Sequence, residues 1–234
     1  MPGGGYHEVH VDFAGFEPAR RFNRAGVTAF VLLYRIPSEG WAQSADVPLQ
    51  DAQRAMRLIR ANAARFRIDT ARIGALGFSA GGHLAARLAT SAHAHVYSAI
   101  DGVDREDTTP AFAALLYPVI TMLPPYAHEE SREMLLGAHA SLATRAAYSC
   151  QKLVTRTTPP CFLAAATDDA LVPPENTLEM FDALRRAHVT TELHMFERGG
   201  HGFGLGEPGR PIATWPDLLL RWGAEHGFFR SVRG

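Results

Sequence analysis

Lysine is nearly absent: Lys152 is the only one in 234 residues, and it follows Gln151 rather than a glycine-rich lead. That excludes P-loop nucleotide chemistry and confines any lysine Schiff base to one position. Cysteine is scarce as well. Cys150 and Cys161 make no C-x-x-C pair and are too few for a disulfide framework or a four-cysteine metal site, so a reducing compartment is permitted. No apolar run reaches the roughly 18 residues of a membrane span. Residues 1–20 carry no apolar core behind basic residues, so the expectation is a cytoplasmic protein without membrane attachment. Neither sign of charge dominates. The 23 basic and 24 acidic residues leave a net charge of −1, without the basic surplus that nucleic acid or an anionic surface requires.

Core-forming residues, by contrast, are plentiful: 47% of the chain is hydrophobic and 20% charged, a globular balance. The length fits a single domain over 1–234, and no repeat or linker divides it. From residue 27 onward, short apolar runs alternate with helical patterns, which predicts an α/β fold with a mostly parallel sheet flanked by helices on both faces. The expected strands are Val27–Tyr34, Arg72–Phe78, Ala113–Tyr117, Cys161–Ala166 and Glu192–Phe196, each too continuously apolar to have a wet face. A helix is expected over Leu49–Phe66, with Leu49, Ala52, Met56, Ile59, Ala63 and Phe66 on its buried stripe. Others are expected from Gly82 to Thr90, from Glu175 to His188 and after Pro216. The stretch from Thr121 to Pro160 is the longest irregular one, an insertion expected to border a binding site as a lid or wall.

Gly77-Phe78-Ser79-Ala80-Gly81 lies between an expected strand and an expected helix, the context in which G-x-S-x-G lifts a serine above a sheet edge. A serine hydroxyl needs a base, and the base an orienting carboxylate. Both follow at later strand ends: Asp168 and Asp169 after the fourth run, His201 within Gly199-Gly200-His201-Gly202 after the fifth. Adjacent residues at a strand end point in different directions, so one of the two aspartates faces the histidine. Gly3-Gly4-Gly5-Tyr6 offers bare backbone amides which, with Ala80 N–H, could bind an oxyanion. Tyr6 and His128 are candidate substrate contacts.

Other patterns carry less. Gly204-Leu-Gly-Glu-Pro-Gly209 matches G-x-G-x-x-G but runs into Arg210-Pro211 instead of a helix, so no dinucleotide site is expected. His7, Glu8 and His10 lack the spacing that sets two imidazoles on one helix face, so no metal is expected. His83, one turn beyond Ser79, suits a packing or capping role.

Pro2-Gly-Gly-Gly-Tyr6, Gly77-Phe-Ser-Ala-Gly-Gly-His83, Asp168-Asp-Ala-Leu-Val-Pro173 and Gly199-Gly-His-Gly202 together resemble the α/β-hydrolase superfamily. More narrowly, they resemble its acetyl-esterase and acetylxylan-esterase-like branch, related to the HGGG-type carboxylesterases. The resemblance covers essentially the whole chain. It implies Ser79 as nucleophile, His201 as base, Asp169 as orienting acid, and Gly4, Gly5 and Ala80 as oxyanion donors. It further implies hydrolysis of short acyl esters such as acetyl, on a small molecule or a carbohydrate, without any cofactor. Acyl-peptide or formamide hydrolysis, and a hydrolase-fold binding protein without turnover, are the alternative readings. Pro2 stands where HGGG enzymes have histidine, as in the narrower branch. The strands that the family places before the glycine triplet are missing, and one of them would lie between Val27–Tyr34 and Arg72–Phe78. Those two either pair directly or leave facing backbone groups unpaired. The expectation is a fragment or a misassigned start, less stable and less active than a chain extended upstream.

Overall fold

Successive side chains of a pleated strand go to opposite faces, and here both faces are apolar. In one strand Ala113 and Leu115 enter one buried cluster while Ala114 and Leu116 enter another, and in the next Cys161 and Leu163 oppose Phe162 and Ala164 in the same way. Such strands are stable only between two helical layers. The computed structural model describes residues 1–230 and builds that sandwich. Its elements run α1 (Glu17–Arg24), α2 (Val47–Ala61), a single turn α3 (Ala63–Phe66), β1 (Ala75–Phe78), α4 (Ala80–Thr90), β2 (Ala113–Leu116), α5 (Glu129–Leu136), α6 (Leu142–Ala147), β3 (Cys161–Ala166), α7 (Glu175–Arg186), β4 (Thr191–Phe196) and α8 (Trp215–Glu225). All four strands are parallel, in the order β1-β2-β3-β4, with Gly77, Leu115, Leu163 and Leu193 in one row across the sheet.

Leu49, Ala52 and Met56 of α2, Leu84, Ala85, Ala86, Leu88 and Ala89 of α4, and Met180 and Leu184 of α7 cover one face. Phe22 of α1 and Trp215, Leu219, Leu220 and Trp222 of α8 cover the other. Parallel strands put all their carboxyl ends on one edge, so the loops after β1, β3 and β4 meet there. The insertion is fixed at its start by Asn176 of α7. The buried amide oxygen of that side chain accepts from Ile120 N–H and Thr121 N–H at 2.9 and 3.0 Å, and its nitrogen donates to Tyr126 O at 2.8 Å.

Two expected elements differ. The helix expected over Leu49–Phe66 breaks at Asn62, whose φ of −105° and ψ of 16° leave helical space, and only α3 follows. More consequentially, residues 27–34 form no strand; they run as irregular, partly exposed chain, with Leu33 63% exposed. An apolar run becomes a strand only with a ladder partner beside it, and residues 27–34 do not pair with β1. A cavity of about 760 Å³ lies between them, walled by Ala29, Ala52, Met56, Phe66, Leu76 and Phe112 among others. At its end, among the described residues, Met1 is the one that bonds the outer edge of β1, donating from its terminal nitrogen to Leu76 O at 2.8 Å and accepting from Phe78 N–H at 3.2 Å. Tyr34 OH donates to Pro2 O at 2.8 Å and holds the next residue.

Candidate active site

The turn after β1 positions the candidate nucleophile by strain. Ser79 has φ 53° and ψ −120°, outside the conformations an L-residue prefers. The cost is accepted because strand and helix close tightly around it: a Cβ on Gly77 would lie 2.0 Å from Gly81 O, and one on Gly82 would lie 2.8 Å from Pro118 Cβ. The amino-terminal segment passes directly over this elbow. A Cβ on Gly3 would come within 2.9 Å of Ser79 Cβ, and one on Gly81 within 2.2 Å of Pro2 O, so only glycine allows the approach.

Ser79 Oγ lies 2.8 Å from His201 Nε2, and His201 Nδ1 lies 2.8 Å from Asp169 Oδ2. Because a carboxylate only accepts, Nδ1 carries the proton and Nε2 is left to accept from the serine hydroxyl. The other Asp169 oxygen accepts from Leu171 N–H and Val172 N–H at 3.0 and 2.9 Å, which fixes the carboxylate plane. The Asp169 side chain is 2% exposed and that of His201 15%, so the relay is closed to solvent at the aspartate and opens toward His201 and the half-buried Ser79. The ring of Tyr117 stands edge-on to the imidazole at 5.1 Å. Its hydroxyl accepts from Gly204 N–H at 3.3 Å, while Trp215 Nε1 donates to Gly204 O at 2.8 Å, tying down the end of the histidine loop.

Asp168, the other candidate acid, faces away from the imidazole. Its Oδ1 accepts from Gly199 N–H at 2.9 Å and Gly200 N–H at 2.7 Å, and these two donors hold the carboxyl below its usual range. Sequence reasoning missed this contact to the histidine loop. Its signal was an unassigned aspartate at the end of β3 opposite a Gly-Gly pair.

Gly4 and Gly5 turn the amino-terminal loop with φ of 135° and 62°, and Gly4 O accepts from His7 N–H and Glu8 N–H. Among the described residues the amides of Gly4, Gly5 and Ala80 have no hydrogen-bond acceptor within the protein. Tyr6 departs from expectation. It is 1% exposed, with φ 63°, and its hydroxyl lies 2.7 Å from His83 Nδ1 inside the core, where no substrate reaches it. His83 Nε2 faces Tyr148 O at 2.8 Å, so His83 locks this loop onto α4. His128 is 9% exposed, at the first turn of α5, where Ser131 Oγ would lie 3.9 Å from a Cβ on Gly5. Burial lowers the imidazole below its usual range. Among the described residues no three histidine, cysteine, aspartate or glutamate side chains converge as a metal site, and His10 pairs with Glu8 at 3.3 Å.

A parallel sheet with a serine elbow after β1, an aspartate after β3 and a histidine after β4, all at one carboxyl edge, has the layout of the α/β-hydrolase fold. The chain belongs to the BD-FAE family, whose model matches residues 2–184. It is 34% identical over 211 residues to endo-1,4-beta-xylanase B of Butyrivibrio fibrisolvens, covering 86% of this chain and 31% of that protein. It is 31% identical over 210 residues to an acetylxylan esterase of Xylanibacter ruminicola, covering 88% and 40%. The chain thus spans less than half the length of these two relatives. Among solved structures, the acetyl ester-xyloside bifunctional hydrolase of Caldicellulosiruptor lactoaceticus superposes with a TM-score of 0.89 at 37% identity, over 97% of this chain and 82% of that one.

Proposed function

We propose that this chain hydrolyses short-chain acyl esters, acetyl above all, carried on carbohydrate, by way of a serine-bound acyl intermediate. The observation that carries the reading is the unbroken relay from Ser79 Oγ through His201 to Asp169, with both contacts at 2.8 Å. Ser79 Oγ attacks the ester carbonyl carbon as its proton passes to His201 Nε2, and Asp169 stabilises the imidazolium without taking its proton. The carbonyl oxygen, now an oxyanion, is held by the unengaged amides of Gly4, Gly5 and Ala80. Collapse breaks the bond to the alkoxy oxygen, which leaves as the alcohol with the proton from His201. Water then attacks the acyl-serine, gives a proton to His201, and releases the carboxylic acid while Ser79 regains its hydrogen. The carbohydrate part of the reading is supported by the relatives, named for acetylxylan, xylan and acetyl-xyloside chemistry.

Labelling by a fluorophosphonate tests the nucleophile, and acetate release from acetylated xylan, beside p-nitrophenyl esters of increasing chain length, tests the substrate class. Ser79→Ala and His201→Ala should each cost on the order of 10⁴-fold in turnover, the remainder coming from the oxyanion donors. A Ser79→Ala protein keeping more than about a tenth of wild-type turnover would overturn the assignment. Cleavage of acyl-peptides or formamides in preference to acetyl esters would replace the substrate class, and absence of both labelling and turnover would leave a binding protein.

A further inference from the structure

Among the described residues the sheet has one covered edge and one bare edge. Met1 bonds the outer edge of β1, and residues 27–34 lie across the cavity beyond it. The described end of the chain turns the same way: Phe228 stacks on Phe112 at 4.8 Å, and Arg230 lines that cavity. On its far side β4 has no neighbouring strand among the described residues. Its residues are half-buried along the whole strand, whereas those of β2 and β3 are buried throughout. Cys161 N–H donates to Thr190 O at 3.0 Å and Thr167 N–H to Phe196 O at 2.8 Å, so the backbone groups of the even-numbered residues face β3. Backbone groups alternate in direction along a strand. Thr191, Leu193 and Met195 therefore turn their N–H and C=O outward, where among the described residues they have no partner. Proteins ordinarily blunt such an edge with lysine, proline or a bulge. β4 contains neither residue and runs in unbroken register with β3 from Thr191 to Phe196.

The side chains of this edge are complementary to themselves. Glu192 and His194 share one face of β4, with His194 Nε2 2.7 Å from Glu192 Oε1. Thr191, Leu193 and Met195 share the other face, and Phe181 of α7 packs against the same cluster as Leu193, with Leu178 43% exposed one turn earlier. We propose that β4 pairs antiparallel with β4 of a second copy of this chain, about a twofold axis at Leu193, so that one sheet runs through the dimer. Leu193 then faces Leu193 and Thr191 faces Met195, and each such pair exchanges two backbone hydrogen bonds. Glu192 falls opposite His194 of the second copy, and the symmetry repeats that contact on the other side of the axis. These are the closer, non-hydrogen-bonded pairs, where a carboxylate meets an N–H donor. An axis at Glu192 would set two carboxylates against each other. One at His194 would set two imidazoles together and leave Glu192 against Phe196, so charge selects the register. Antiparallel strands turn the carboxyl edges of the two sheets in opposite directions, which leaves both sites open.

The test is the mass in solution, by light scattering, from micromolar to millimolar chain. Wild type should reach the mass of two chains. Glu192→His sets imidazole against imidazole and His194→Glu sets carboxylate against carboxylate, and each should raise the Kd of the dimer roughly tenfold. The double variant, Glu192→His with His194→Glu, puts a carboxylate opposite an imidazole again only when the axis lies at Leu193, and should return Kd to within about threefold of wild type. Thr191→Pro removes an outward N–H at the first residue of an edge strand, a position that tolerates proline, and the threonine hydroxyl has no hydrogen bond to lose. It should also raise Kd roughly tenfold. Thermal midpoints of dilute samples show which variants fold, and Thr191→Pro stands in where the charge variants do not. A wild type that stays monomeric up to millimolar concentration overturns the inference. A dimer whose Kd moves less than about twofold in the single variants, or is not restored in the double variant, joins through another face or register and overturns it too. The esterase reading stands in each case.

Discussion

Asp168 Oδ1 accepts the Gly200 amide at 2.7 Å, so the residue before Asp169 holds the residue before His201, its hydrogen-bond partner. The same oxygen takes the Gly199 amide, and Gly200 itself has φ 60°, a conformation open to glycine at little cost. Asp169 and Asp168 therefore divide the work at the end of β3: one binds the imidazole, the other the backbone that carries it.

Removing that anchor should displace His201 without touching it. Asp168→Ala is expected to lower kcat on p-nitrophenyl acetate about tenfold, since misplacing a catalytic group by an ångström costs up to about 10²-fold. Asp168→Asn keeps an acceptor oxygen and should lose less. The two N–H donors depress the carboxyl below its usual 3.8, so its contribution to stability is complete above that value and fades as pH falls through the lower folded value. Urea midpoints for wild type should accordingly fall more steeply below about pH 4 than those for Asp168→Asn. Turnover in Asp168→Ala within twofold of wild type would show that the His201 loop holds its place unaided.

Tyr6 and His83 do for the Gly4-Gly5 loop, the proposed oxyanion donor, what Asp168 does for the histidine loop. Tyr148 O can only accept, so His83 Nε2 carries the proton and Nδ1 accepts from Tyr6 OH. Tyr6→Phe leaves that buried nitrogen unpaired, at about 1–3 kcal/mol of stability. Because Tyr6 follows Gly5, the change should lower kcat with little effect on KM, a loss confined to the transition state. Lower stability with wild-type kcat would reduce Tyr6 to a packing residue. Burial also lowers His83 to about 3 from 6.5. As pH drops below 6.5 the unfolded chain takes a proton the native protein refuses, so this contribution is full above 6.5 and is lost progressively toward pH 3. His83→Gln can keep both hydrogen bonds and should flatten the dependence of the urea midpoint on pH between 6.5 and 4. An unaltered slope would show that His83 is protonated in the native state.

What the sequence disclosed, it disclosed where local chemistry is self-sufficient. The strand β3 is legible to the residue as Cys161–Ala166, because it is buried on both faces and has a partner on each side. Ser79 and His201 are legible because a strained turn and a glycine-rich loop leave residue-type marks at strand ends. Residues 27–34 were misjudged because an apolar, β-branched run states a preference for pairing and says nothing about whether a partner strand lies beside it. Tyr6 was misplaced for a different reason. Its positive φ turns the side chain from the site into the core, and no residue-type rule places an aromatic there.

The cavity beside β1 makes a prediction that runs against the usual rule for cores. Inserting methylenes into a packed interior costs typically about 1–3 kcal/mol, and Ala114, fully buried on β2 away from the cavity, should follow that rule as Ala114→Leu. Ala55 lies on α2, facing the space between that helix and residues 27–34. Leucine is nearly as good a helix former as alanine, so Ala55→Leu changes little but the volume filled. Burying its extra carbons should stabilise the protein by about 1 kcal/mol after side-chain entropy is subtracted. In a domain of this size that raises the thermal midpoint by roughly 2–4 °C, whereas Ala114→Leu should lower it. If Ala55→Leu instead destabilises as Ala114→Leu does, the space beside β1 is filled in solution, and the β1 edge is paired beyond Met1.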